Sequence, residues 1–187
     1  ALDEGFTDSG VYAIDPDGTG QYDAYCLMDA EYDGGGWTLA MVSSDDDQPT
    51  WTWNNRAYMT TDTSLVGSIA LLNEDFKSSS LHQIEFQDLM FIHQPSGVWA
   101  QYGDVGSGGN DFGTFLDDIG TPICYGASPS GYPLTGGSLT MLGTLCSTDL
   151  FMSPQDQDGT ASCAGLTRET TWGPAWSANN NHGCPMD

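Results

Sequence analysis

The sequence predicts an α+β domain with a mostly antiparallel, twisted central sheet, few short helices and long irregular loops. Three observations carry this. Alternating apolar and polar residues flank a Gly-rich turn in "SGVYAIDPDGTGQYDAYCLM", helical texture is confined to residues 62–94, and Gly, Ser, Pro, Asn and Asp dominate from Gly97 onward. At 187 residues the chain suits one domain, which removes roughly 70% of its unfolded surface from water. Within that domain, 1–45 reads as an N-terminal hairpin and glycine-led strand, 46–145 as central sheet and short helices, and 146–187 as a loop region.

The first element is a hairpin, because two alternating runs meet at "DPDGTG". "GGGWTLAMV" follows as a buried strand, bounded by Gly34–Gly36 and by the acidic "SSDDDQP" turn. Three glycines before Trp37 open backbone angles closed to other residues and admit a neighbouring chain, while the indole covers the hairpin. In "TWTWNN", Trp51 and Trp53 share one strand face and read as core. "SLVGSIALL" and "FKSSSLHQIEF" predict one or two short helices, and "DLMFIH" a strand. The run "QYGDVGSGGNDFGTF" has no period of its own, and ordered loops of that length are functional or pinned by disulfides and ions.

Charge narrows the function. Twenty-six acidic residues face three basic ones, Arg56, Lys77 and Arg168, for a net charge of −23. DNA, with one phosphate charge per ~1.7 Å of axis, would repel such a surface, and so would an anionic membrane. Five of the acids are glutamate, which leaves twenty-one aspartates, the shorter acid used in turns and calcium loops. The plain reading of most of them is a solvated surface that keeps the protein soluble.

No stretch approaches the ~18 apolar residues of a membrane span. "ALDEGFTDSG" has neither the basic region nor the apolar segment of a signal peptide, so a mature chain is expected. Five cysteines without a C-x-x-C spacing, in a glycine-rich and lysine-poor chain, fit an oxidising compartment and hence secretion or the cell surface. The odd count leaves one thiol that is either buried and free or bonded outside the chain.

The order "SGVY" (Ser9 to Tyr12), Tyr25–Cys26 with Met28, then "GGGWTL" (Gly34 to Leu39) resembles the opening of the fibrinogen C-terminal-like domain, including its shorter bacterial and intelectin-like relatives. Past Leu39 the likeness thins, and it returns at "PQDQDGTASCAG". There the resemblance implies a calcium site in which Asp156 and Asp158 supply side chains and Thr160 and Ser162 supply carbonyls. Calcium takes six to eight oxygens at ~2.3 to 2.6 Å, so such a set suits it. The cysteine lies one residue nearer than in the vertebrate pattern, and the competing reading of these residues is an Asx turn ending at Gly159.

The resemblance further implies that Cys163 bonds Cys184 around a ligand-shaping loop, and Cys124 with Cys146 closes a second loop of similar size. Each closure adds on the order of 3 kcal/mol. Cys26 is left over. Its partner in the relatives lies upstream of "SGVY", where residues 1–8 hold no cysteine, so that bond is missing or intermolecular. On the loop, Trp172, Trp176, Asn179, Asn180, Asn181 and His182 combine aromatic plates with hydrogen-bonding groups, a mixture that suits sugar hydroxyls or an N-acetyl group. Their alternative is core tryptophans beside a solvated Asn turn.

Other chemistries find little in the sequence. "DPDGTGQYD" imitates an acidic calcium loop but sits between alternating strands, where a hairpin turn explains it. There is no G-x-S-x-G, so hydrolysis is not expected. His82, His93 and His182 are far apart, and no Gly-rich loop leads to a Lys for nucleotide phosphates.

The function expected is therefore a secreted, calcium-dependent, non-catalytic recognition module for glycans or acetylated groups. Its rival is a self-assembling fibre or surface-appendage subunit. The family's domain runs past 200 residues and closes its sheet with a last strand, whereas this sequence stops at "GCPMD". A second copy's "ALDEGFT" would fill an open sheet position.

Overall fold

In the computed structural model the described residues are 5–44, 48, 50, 51, 55, 57–94, 97–106, 108–118, 134–138, 150, 151, 173 and 174. They form a mixed α+β arrangement of short antiparallel sheets with three short helices.

β1 (Gly10–Ile14) pairs antiparallel with β2 (Tyr22–Leu27), from Gly10 opposite Cys26 to Ile14 opposite Tyr22. The seven residues between them contain the "DPDGTG" turn. Asp17 accepts from the Thr19 amide at 2.9 Å and Asp15 from the Gly20 amide at 3.1 Å, so the turn's aspartates satisfy its own backbone. Ser9 Oγ accepts from the Met28 amide at 2.8 Å and closes the open end. Ala24, Cys26 and Met28 are buried at every second position, the period of a strand with one covered face.

Gly34, Gly35 and Gly36 have φ of 84°, 79° and 88°. Their left-handed backbone lets Gly36 N–H donate to Leu27 O at 2.8 Å and Gly35 N–H to Tyr32 O at 3.0 Å. A Cβ on Gly35 would lie 2.5 Å from Met28 O. The Trp37 indole N–H donates to the same Tyr32 carbonyl at 2.7 Å. The tryptophan thus locks the glycine turn.

The strand read as one piece in "GGGWTLAMV" is two. β3 (Trp37–Thr38) pairs with β2, and β4 (Met41–Val42) pairs with β5 (Phe76–Lys77). The chain changes sheet at Leu39–Ala40, where Leu39 N–H still donates to Tyr25 O and Ala40 O accepts from Ser78 N–H, both at 2.9 Å. Instead of one central sheet, the described strands form sheets of three, two, three and two strands, all antiparallel.

α1 (Ala57–Thr60) precedes a stretch of turns over residues 61–74, where "SLVGSIALL" predicted a helix. Gly67 has φ of 67° and Val66 bridges Lys77, so that segment is tied to β5 and leaves helical angles. α2 (Ser80–Gln83) supplies the single short helix of 62–94. β6 (Leu89–His93) is the strand predicted at "DLMFIH", paired with β7 (Val98–Tyr102), which pairs with β8 (Leu134–Gly137). α3 (Phe112–Asp118) stands in the run that showed no period. Asp111 accepts from the Thr114 amide at 2.8 Å and hydroxyl at 2.7 Å, the geometry of an N-cap. Two further two-residue strands, β9 (Leu150–Phe151) and β10 (Gly173–Pro174), pair with each other.

The core gathers Trp51, Met59, Leu81, Tyr102, Phe112 and Leu116 with smaller neighbours. Trp51 is 1% exposed, as expected of core, but it lies in a bend rather than a strand. Its indole N–H donates to Val42 O at 3.1 Å, which fastens the segment before α1 onto β4.

Candidate functional site

The residues that the sequence singles out for calcium and ligand lie outside the described residues. These are Asp156, Asp158, Thr160 and Ser162 for the ion, and Trp172, Trp176, Asn179, Asn180, Asn181 and His182 for the ligand. Cys124, Cys146, Cys163 and Cys184 lie there too. Cys26 is described and is a buried, free thiol whose pKa is pushed up by burial, which disfavours the thiolate. Its side chain faces the covered side of the hairpin rather than solvent.

Among the described residues, a groove of about 450 Å³ forms around α1. Thr50, Asn55 and Tyr58, with Gln48 beyond them, come from the segment before α1 and from α1 itself. Ser64, Leu65 and Val66 come from the turn that follows. Amide, hydroxyl and ring groups line it beside two aliphatic side chains, and among the described residues none of the lining side chains carries charge. Leu65 is 63% exposed at its edge. Sequence reasoning missed this site, since its two walls are brought together by tertiary contacts.

Beneath the groove lies Lys77, which has no exposed surface. Its ammonium donates to Tyr58 O at 2.6 Å and also to Asp62 O, and lies 5.9 Å from the Tyr58 ring centroid. Its own amide donates to Val66 O at 2.9 Å. One residue therefore binds both groove walls. A buried ammonium costs several kcal/mol in lost hydration unless its donors are met, and two carbonyls and an aromatic face meet them here. Burial lowers the Lys77 pKa, and Asp62 opposes that shift.

His82 of α2 shares the enclosure. Its Nδ1 is 3.8 Å from Asp111 Oδ1, and its side chain is 9% exposed. The carbonyls of Asp62 and Tyr58 also face the ring, while Nε2 completes no hydrogen bond. α3 presses on it closely enough that a Cβ on Gly113 would overlap the imidazole. Burial, then the positive Lys77, lower the His82 pKa, and Asp111 raises it. The imidazole is thus held neutral beside an ammonium.

This arrangement holds and shapes a surface. The Lys77 amine is enclosed and engaged, so it does not reach a molecule in the groove as a nucleophile. Among the described residues, what a ligand meets is a set of uncharged hydrogen-bonding groups and the Tyr58 side chain. In comparisons with known proteins, no family model matches the chain and no curated protein matches it.

Proposed function

We propose that the chain is a secreted or cell-surface, non-catalytic recognition module of fibrinogen-like type that binds glycans or acetylated groups and depends on calcium. The observation that carries this reading is the groove. Its volume of about 450 Å³ falls in the ~300–1,000 Å³ range of small-ligand sites. Uncharged amides and hydroxyls beside a tyrosine and a leucine fit the alternating polar and apolar faces of a sugar or an N-acetyl group. The hairpin followed by a left-handed Gly34–Gly36 turn under Trp37 supports the fibrinogen-like resemblance. In this reading calcium is held by Asp156 and Asp158 with the carbonyls of Thr160 and Ser162. The loop closed by Cys163 and Cys184 adds Trp172, Trp176, Asn179, Asn180, Asn181 and His182 as a second contact, and Cys124 bonds Cys146. Calorimetric titration with N-acetylglucosamine, N-acetylgalactosamine, galactose and mannose tests it, with Ser64→Trp as the variant that fills the groove. Binding by the parent and loss in Ser64→Trp support the groove, and equal binding by both moves the contact elsewhere.

One observation favours the second reading, a self-assembling fibre or appendage subunit. Among the described residues β1 is the outer strand of its sheet, and Val11 on it is 49% exposed, with Phe6 just before it 44% exposed. An outer strand with apolar side chains accepts another strand. Negative-stain imaging separates the readings: open filaments favour strand exchange, and discrete particles the recognition module.

A further inference from the structure

We propose that Lys77 is the positioning residue of the groove, and that a proton on His82 loosens its hold, so that the groove binds its ligand less tightly in acid. The inference rests on the groove being a ligand site. It deepens that reading by naming what sets the groove's shape.

The geometry is that of a tie with three ends. The Lys77 ammonium takes the carbonyls of Tyr58, on one wall, and of Asp62, at the turn between the walls. Its amide takes the carbonyl of Val66, on the other wall. α1 is four residues long, too short to hold itself by its own hydrogen bonds, so the spacing between Tyr58 and Val66 follows from what grips it. β5 grips it through this one residue, by its ammonium on Tyr58 and Asp62 and by its backbone amide on Val66.

His82 makes the tie sensitive to protons. The groups that face the imidazole are the Lys77 ammonium from β5, the Asp111 carboxylate at the start of α3, and the Asp62 and Tyr58 carbonyls beside α1. A protonated ring puts a second positive charge near the ammonium, in the enclosure that also holds the Tyr58 and Asp62 backbones. Repulsion between the two cations then loosens the tie, while Asp111, at 3.8 Å from Nδ1, draws the ring rather than the lysine. The Asp62 carboxylate accepts from the Ser64 amide at 2.8 Å and is held below the usual carboxylate range, first by its Ser64 bonds.

The test follows the wall amides directly. Amide shifts of Tyr58, Ser64, Leu65 and Val66 are recorded from about pH 7.5 to about pH 4.5 together with the His82 ring signals. The expected result is that wall shifts share the midpoint of the imidazole, and that His82→Gln flattens them. In the same samples N-acetylglucosamine affinity falls roughly tenfold across that midpoint and stays level in His82→Gln. Lys77→Arg, which keeps the charge, retains more affinity than Lys77→Met. Wall amides indifferent to His82 protonation would overturn the inference, as would equal affinity in Lys77→Met and the parent. If the walls follow His82 but no sugar binds at any pH, the tie stands and the glycan reading falls.

Discussion

The Lys77 ammonium donates to the Tyr58 carbonyl at 2.6 Å from a side chain with no exposed surface. In a chain with three basic residues against twenty-six acids, one cation is spent wholly inside the molecule. Lys77→Met removes the donor and leaves the Tyr58 and Asp62 carbonyls unmet, so a loss of roughly 1–3 kcal/mol is expected. Urea denaturation measures it. A loss under a few tenths of a kcal/mol would show that water or another donor replaces the ammonium without cost.

His82 gives stability a pH dependence of defined sign. Its folded pKa lies below 6.5 because burial and then Lys77 disfavour the charged ring. As pH falls through 6.5 the unfolded chain takes up a proton that the folded chain refuses, so stability held above that value is lost between it and the lower folded pKa. His82→Gln should reduce this part of the acid slope. Melting temperatures of both proteins across that window check it, and parallel curves would contradict it.

The glycine turn separates space from conformation. Gly34 and Gly35 both have positive φ, but only Gly35 would press a Cβ against Met28 O. Gly34→Ala should cost about 1 kcal/mol for its left-handed angle, and Gly35→Ala about 2 kcal/mol or more, since overlap adds to the angle. Equal losses in thermal or urea unfolding would mean that the backbone shifts away from Met28.

Parts of this structure were plain in the residues. The hairpin was legible because alternation and turn chemistry agree over Gly10–Leu27, and the glycines because a left-handed turn before a tryptophan needs them, with a close backbone approach at Gly35. The helix expected at "SLVGSIALL" gave way to a cross-chain bridge between Val66 and Lys77, a tertiary tie that no local period reports. α3 hid behind the glycines that precede it and Gly113 within it, although Asp111 followed by Thr114 was a readable cap. The groove was not legible at all. Asn55 and Ser64 are ordinary polar residues until Lys77 draws their segments together, and a lysine at a buried strand position runs against the rule that charges face water.

Calcium carries its own expectation. If the proposed site at Asp156 and Asp158 holds the ion, it stabilises the folded state by RT ln(1 + [L]/Kd), roughly 2.7 kcal/mol when free calcium is a hundredfold above Kd. Chelation should lower the melting temperature, and Asp156→Ala or Asp158→Ala should reproduce that loss without rescue by added calcium. An unchanged melting curve in excess chelator would favour the Asx turn.

Recognition at the groove is tested most directly by amide chemical shifts in saturating calcium, titrated separately with N-acetylglucosamine, N-acetylgalactosamine, galactose and mannose. The prediction is a saturable shift of Thr50, Asn55, Tyr58, Ser64, Leu65 and Val66 with at least one acetylated sugar, abolished by Ser64→Trp while the remaining spectrum stays folded. Groove amides that stay still with every sugar would contradict the account.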